Sequence, residues 1–318
     1  MGNNFQKIES IKVAVQFFGH LRTYVRCAKS IKKHLLDLYD CDVFVHTWTE
    51  LDCLHSTLRC AANKKRETHA ERALTENDVK RVHQLFSPKV LEISNPKDVN
   101  ASSDERYIPC LINRNRKEFS TYGVSRMIYS KMRVNTLRKN YQEEHGKRYD
   151  YVIMLRADVR LNKDFILEQL HKEIQQASLP PARYYAINPG SSPMIGDLMS
   201  DIIYMGSPDI IDRTLEVWSK VDFSQLQRKV WTPEKLLSTV LEEQGIHNQA
   251  INYSYGSCWE IVRLRRQLSL RQSILRIRVS DGTCRIYLFN SLPCSLFKVK
   301  VHLFGFLGLE FYLGKALP

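Results

Sequence analysis

The first 46 residues hold the pattern that most restricts the fold. Ile11 to Phe18, IKVAVQFF, is an apolar, β-branched run of strand length. The turn GHLRT follows at once. Ile31, Leu35 and Leu38 then fall on one stripe, which predicts a helix from about Tyr24 to Leu38. Cys41 to His46, CDVFVH, is a second apolar run, ending in Thr47 and Trp48. Strand, helix and strand in such a short span predict a βαβ unit. Its strands should be parallel and its crossover right-handed. The chain's 318 residues are 43% hydrophobic and 25% charged, which is enough to bury an ordinary core.

The region from about Leu51 to Ser120 is less regular. It contains a highly charged stretch, Asn63 to Arg72, that reads as helix or loop, and a strand at Lys89 to Ile93. Ser120 to Glu144 reads as helix, with Val124, Met127, Ile128, Leu137 and Tyr141 as its apolar face and Gly146 at its end. In YDYVIMLRADVRLN, Tyr151 to Leu155 has the content of a strand buried on both faces. Arg156 and Asp158 sit where it would emerge. Being two residues apart, they point the same way from an extended chain. Tyr184 to Ile187 is a short strand, followed by the loop NPGSSPMIGD and by IIYMGSP. Ser207 and Pro208 form a helix start, and Thr232, Pro233 and Glu234 repeat the device before a helix that Gly245 stops. ILRIRVS-DG-TCRIYLF predicts a hairpin with a type I′ turn at Asp281-Gly282.

Several classes lose support. The chain has no G-x-G-x-x-G, G-x-x-x-x-G-K-[ST], G-x-S-x-G or H-E-x-x-H. No window approaches the roughly 18 apolar residues of a spanning helix. MGNNFQKIES has no apolar signal segment, and Gln6 stands where myristoylation prefers Ser or Thr. None of the eight cysteines forms C-x-x-C, so reduced thiols in a cytoplasmic protein are expected rather than structural zinc. The formal net charge is +13, and from Glu260 to Pro318 ten Lys or Arg oppose three acids. This favours an anionic partner: a membrane surface, a nucleic acid or a charged substrate. No DNA- or RNA-binding motif accompanies the charge, which argues against a nucleic-acid partner.

In open α/β sheets, ligands bind outside the carboxyl ends of the strands. Three such ends carry polar residues: Gly19, His20, Arg22 and Thr23; His46, Thr47 and Trp48; Arg156 and Asp158. Gly19 permits close backbone approach, and Arg22 suits a phosphate. An aspartate at a strand end can hold a divalent metal, Mn²⁺ or Mg²⁺, with phosphates completing its shell. Two readings stand for Arg156 and Asp158, a ligand site and a structural ion pair. Two also stand for His20 and His46, function and a hydrogen-bonded, half-buried histidine.

Four blocks, FFGHLRTY, DLYDCDVFVHTW, YDYVIMLRADVRL and PEKLLSTVLEEQGI, cover most of Lys12 to Ile246. In order and spacing they resemble bacterial GT-A-type glycosyltransferases of capsule and lipooligosaccharide biosynthesis. The resemblance implies a GT-A-like α/β fold, Rossmann-like, with a mostly parallel sheet flanked by helices. The catalytic domain would span residues 1–258, with the nucleotide-sugar side at about 11–160 and the acceptor side at about 184–258. A basic extension would follow at 259–318. The resemblance also implies a nucleotide-sugar donor bound by the strand-end residues, Phe17 included, and a glycan or lipid-linked glycan acceptor. R-A-D then occupies the place of the D-x-D metal motif, with Asp158 as the matching acid and Arg156 in place of the first. Asp197, Asp201 and Glu234 are candidates for the base that takes the acceptor proton, with the helix dipole as the plain reason for Glu234. His247 is a further candidate for the metal or the diphosphate. The tail VHLFGFLGLEFYLGKALP reads either as a segment lying on an anionic membrane surface, at the cytoplasmic face of the inner membrane, or as an apolar helix packed on the core. A transferase of a phosphate-bearing substituent and a non-enzymatic nucleic-acid-binding protein are the alternatives.

Overall fold

The computed structural model describes residues 11–52, 58–60, 73–98, 107–112, 115–165, 167, 183–187, 202–221, 233–251, 253, 256–262, 274–280, 283–289, 297–303 and 307–314. Side chains are described within 11–52, 73–97, 123–165, 202–221, 238–246 and 256–262, and at 167 and 253. The chain divides into two compact units, Met1–Leu264 and Arg265–Pro318.

The βαβ unit is present. β1 (Lys12–Phe17) and β2 (Asp40–Trp48) are parallel, in register from Lys12 opposite Asp40 to Phe17 opposite Val45. The helix between them is shorter than its stripe suggests. α1 (Tyr24–Ile31) gives way to a π-helical turn over Lys32–Leu36, closed by the Asp37 N–H on the Lys32 carbonyl at 2.8 Å. The wider turn keeps Leu35 in the core with Ile31, and Leu38 ends up exposed.

Two helices and five more strands complete the central sheet and its cover on the first stretch of chain: α2 (Glu76–Phe86), β4 (Val90–Ser94), α3 (Thr121–His145), β7 (Tyr151–Leu155), β9 (Arg183–Ile187), β10 (Ile203–Gly206) and β11 (His247–Ile251). β3 (Leu58–Cys60), β5 (Tyr107–Ile112) and β6 (Asn115–Ser120) form a separate small sheet. The central order is β11-β9-β10-β7-β1-β2-β4. β1 pairs in parallel with β2 and β7, β2 with β4, and β9 with β11; β10 alone runs antiparallel, to both neighbours. The first unit is therefore an α/β structure on a mostly parallel mixed sheet.

The central strands read as unbroken apolar runs because both faces are covered. Val13, Val15 and Phe17 pack with Cys27, Ile31, Leu35, Val82 and Phe86 from α1 and α2. Ala14, Val152, Met154 and Tyr204 pack on the other face with Ile128 and Val134 of α3 and Ile211, Leu215 and Trp218 of α4 (Pro208–Ser219). Ser207 caps α4 as the sequence suggests, its hydroxyl accepting from the Ile210 N–H at 3.4 Å with Pro208 in first position. α5 (Pro233–Glu243) ends at Gly245, whose φ is 68°. Missed by periodicity is α2, although a Thr75–Asp78 capping box opens it.

Buried polar groups on the α3 face are joined to one another. The Gln16 amide donates to Asn135 at 3.1 Å, Asn135 donates to Asp212 at 2.6 Å, and the Arg138 guanidinium pairs with the same Asp212. Lys131, also buried, lies over the rings of Tyr204, Phe18 and Trp218 at 4.7, 4.8 and 5.0 Å.

β8 (Val159–Leu161) pairs antiparallel with β12 (Trp259–Ile261). That pairing joins β12 to the first unit, which runs to Leu264. The second unit holds a four-stranded sheet of β13 (Ile274–Ser280), β14 (Thr283–Phe289), β15 (Phe297–Leu303) and β16 (Leu307–Gly314), in the order β13-β14-β16-β15. β13 and β14 form the expected hairpin, closed at Ser280 opposite Thr283; Asp281 and Gly282 lie outside the described residues. Where the tail is described, at 301–303 and 307–314, it is strand rather than helix. FKVKVHL alternates with period two, the strand period, which an eye for composition overlooks. Among the described residues no helix is long and apolar enough to cross a membrane.

Removing one partner of a buried ion pair leaves an uncompensated charge. Asp212→Ala, which strands Arg138, should cost about 3 kcal/mol in urea unfolding; a loss below about 0.5 kcal/mol would show that the pair contributes little.

Candidate functional site

From β1 the chain moves to β2 and then β4 on one side, while β7 lies on the other. The strand order thus reverses between the carboxyl ends of β1 and β7, where Phe17 lies opposite Leu155. Loops leaving such a point diverge and open a crevice. Residues 18–23 and 156–158 are those loops.

At the centre stands Asp158, whose side chain is 0% exposed. Arg156 holds it with two bonds, Nε to Oδ1 at 2.9 Å and Nη2 to Oδ2 at 2.5 Å. Arg22 adds Nη1 to Oδ2 at 3.3 Å and reaches Asp52 through Nε at 2.7 Å. Arg22 itself has φ 49°, a left-handed conformation that costs a non-glycine residue about 1 kcal/mol or more. The bond from its N–H to the Leu51 carbonyl, 2.8 Å, helps hold it there. Burial works against the Arg22 charge, but Asp158 and Asp52 outweigh it and raise its pKa.

His20 lies beside this cluster with its side chain 10% exposed. Its Nε2 has no hydrogen-bond partner and sits 3.7 Å from a Glu50 carboxylate oxygen. Burial, then the charges of Arg22, Arg126 and Arg156, push its pKa down to about 3. The imidazole is neutral near pH 7, able to give or take one hydrogen bond. The charges of three guanidiniums thus act on His20, opposed by that of Asp158.

The other strand-end residues form the frame. His46 is buried between the Ser130 hydroxyl (2.7 Å) and the Ser94 hydroxyl (3.0 Å), and burial lowers its pKa to about 4. This is the hydrogen-bonded histidine of the plain reading. Ser130 also accepts from the Gly19 N–H at 2.7 Å, where φ is 82°. Trp48 is buried and stacks on Tyr129 at 5.7 Å; Thr47 is fully buried. Phe17 is a core residue, packed on Phe86 at 4.7 Å, because β1 sends alternate side chains to the α1–α2 face. Thr23 is buried and donates to the Val262 carbonyl at 2.5 Å. Phe17, Thr23, His46, Thr47 and Trp48 are thus buried in the frame behind the strand-end loops.

Asp158 does not suit a metal. Both its oxygens are engaged by guanidiniums, it has no exposed surface, and a hard cation would have to displace two positive groups to reach it. Among the described residues no three His, Cys, Asp or Glu are placed to hold a metal ion. His247 opens β11, which runs in the direction of β1 and β7. It therefore starts from the edge of the sheet opposite to Asp158, about 13 Å back along the strand. Asp197 and Asp201 lie outside the described residues, and Glu234 lies in the first turn of α5 with its side chain outside them.

Sequence reading missed Arg126, Ser130, Glu50 and Asp52. Arg126 and Ser130 are one turn apart on α3, and Ser130 meets the loop after β1 at Gly19; no local pattern marked Glu50 or Asp52. A depression of about 450 Å³ between α4 and α5, lined by Arg213, Glu216, Lys220 and Gln244, holds none of the candidate residues. Cys27 and Cys41, raised by burial to about 11 and about 12, are protonated thiols and not nucleophiles. No protein-family model matches the chain, and no curated protein matches it significantly.

Both histidines carry a pH dependence. Their folded pKa values lie below the ordinary 6.5, so the stability they lend is complete above that pH and is lost as pH falls toward 3–4. At pH 5 each should cost the fold about 2 kcal/mol relative to pH 8. Urea unfolding of wild type and His20→Gln at the two pH values checks this; identical pH slopes would show that His20 is not held neutral.

Proposed function

We propose that this chain is a glycosyltransferase that binds a nucleotide-sugar donor in the crevice between the carboxyl ends of β1 and β7. The observation that carries the reading is the pair of arginines, Arg22 and Arg156, locked on a buried carboxylate at the point where the strand order reverses. Transfer breaks the bond between the anomeric carbon and a phosphate oxygen, and an acceptor hydroxyl oxygen bonds to that carbon as its proton goes to a base. Negative charge grows on the departing nucleoside diphosphate. Fixed cations aimed at that charge are the usual largest contribution to such a reaction.

The order of the four sequence blocks, with R-A-D ending β7, supports the GT-A-like variant of the α/β fold. The acceptor is a surface glycan or a lipid-linked glycan. The excess of Lys and Arg over acids in the second unit supports work at an anionic membrane surface on the cytoplasmic side.

The test is incubation of the full chain with UDP-, GDP-, CDP- and CMP-activated sugars, with Mn²⁺ and Mg²⁺ supplied, while released nucleotide is followed. One nucleotide class should appear above the enzyme-free rate, and Arg22→Gln should reduce that release by about tenfold or more. Neither binding nor release with any donor would sink the reading.

A further inference from the structure

We infer that Arg22 and Arg156 hold the donor's diphosphate without a divalent ion, and that Asp158 is a positioning residue for the two arginines rather than a metal ligand. The inference rests on the transferase reading and concerns how that site carries charge.

Three observations support it. First, Asp158 is spent. Three guanidinium N–H groups already meet its two oxygens, and no surface is left through which an ion could approach with its hydration shell. Second, the arginines are not spent. A guanidinium has five N–H donors in a fixed fork. Arg22 directs two bonds at Asp52 and Asp158, and Arg156 directs two at Asp158. Their side chains remain 19% and 16% exposed, so further donors are left for an anion that enters the crevice. Third, His20 beside them has a buried Nε2 with no hydrogen-bond partner. A neutral imidazole there leaves the positive charge of the site to the arginines.

Burial of Asp158 also explains its position. A guanidinium on a free side chain loses rotamer freedom when it binds an anion. Here the shared carboxylate has already fixed both forks, and Asp52 fixes one of them a second time. The opposing acids, Asp52, Asp158 and Glu50, keep the empty crevice near neutrality. A diphosphate entering it meets preset donors rather than a bare positive charge.

The experiment is calorimetric titration of UDP, GDP and CDP into the full chain in EDTA, repeated with Mn²⁺. One nucleotide should bind in EDTA, with a Kd within about twofold of that in Mn²⁺. Arg156→Gln should weaken that binding by about 10- to 100-fold. Because Asp158→Asn removes a buried charge and can unfold the chain, Arg156→Gln, confirmed folded by circular dichroism, carries the test. Binding in Mn²⁺ that falls at least tenfold in EDTA overturns the inference and leaves the transferase reading standing. Metal-free binding that Arg156→Gln leaves unchanged overturns the role of the arginines. No binding under either condition overturns the transferase reading, and the inference with it.

Discussion

A carboxylate with no exposed surface cannot remain charged unless its neighbours replace the water it has lost. Asp158 meets that condition through Arg156 and Arg22, from loops 136 residues apart in sequence. The turn after β1 must therefore close in one way, with Arg22 in a left-handed conformation that few side chains accept. The turn after β7 must keep Arg156 folded back on its own neighbour. Geometry at the mouth of the sheet is set by one buried charge, and the cost of losing either arginine falls on the fold as well as on the site.

α3 ties the mouth to the interior. Arg126 and Ser130 face the strand-end loops, Lys131 enters a box of three aromatic rings, and Asn135 and Arg138 join the buried network with Asp212. Arg126 and Ser130 form one stripe at four-residue spacing, and Lys131, Asn135 and Arg138 form a second at spacings of four and three, so one helix serves both. Its apolar face, Val124, Ile128 and Val134 with Met127, Leu137 and Tyr141, packs in the core beside these polar positions.

Much of the central sheet was legible in the chain. β1, β2 and β7 announce themselves because strands buried on both faces need continuous apolar runs, and Ser207-Pro208 marks α4 as plainly as a cap can. The position of Arg156 and Asp158 at a strand end was equally readable. Their pairing stood there too, as one of two readings; its bidentate geometry did not, because i and i+2 on a strand share a side and only the turn brings them together. Phe17 and His46 show the reverse limit. They stand within a residue or two of the crevice in sequence, yet the pleat turns them into the core. Asp52 and Glu50 could not be found at all, since no periodicity links them to residue 158. The antiparallel course of β10 was also hidden. Four residues of strand look alike in either direction, and only what precedes and follows them decides.

The backbone of Val262 acts as a fastener. Its N–H holds the Asp158 carbonyl at 2.8 Å, and its C=O receives the Thr23 hydroxyl. It lies two residues before the junction of the two units. The loops after β1 and β7 are thus laced to the residue that follows β12. The shortest piece of the chain that retains the lacing must extend past Val262, although the sheet itself is complete at Ile251.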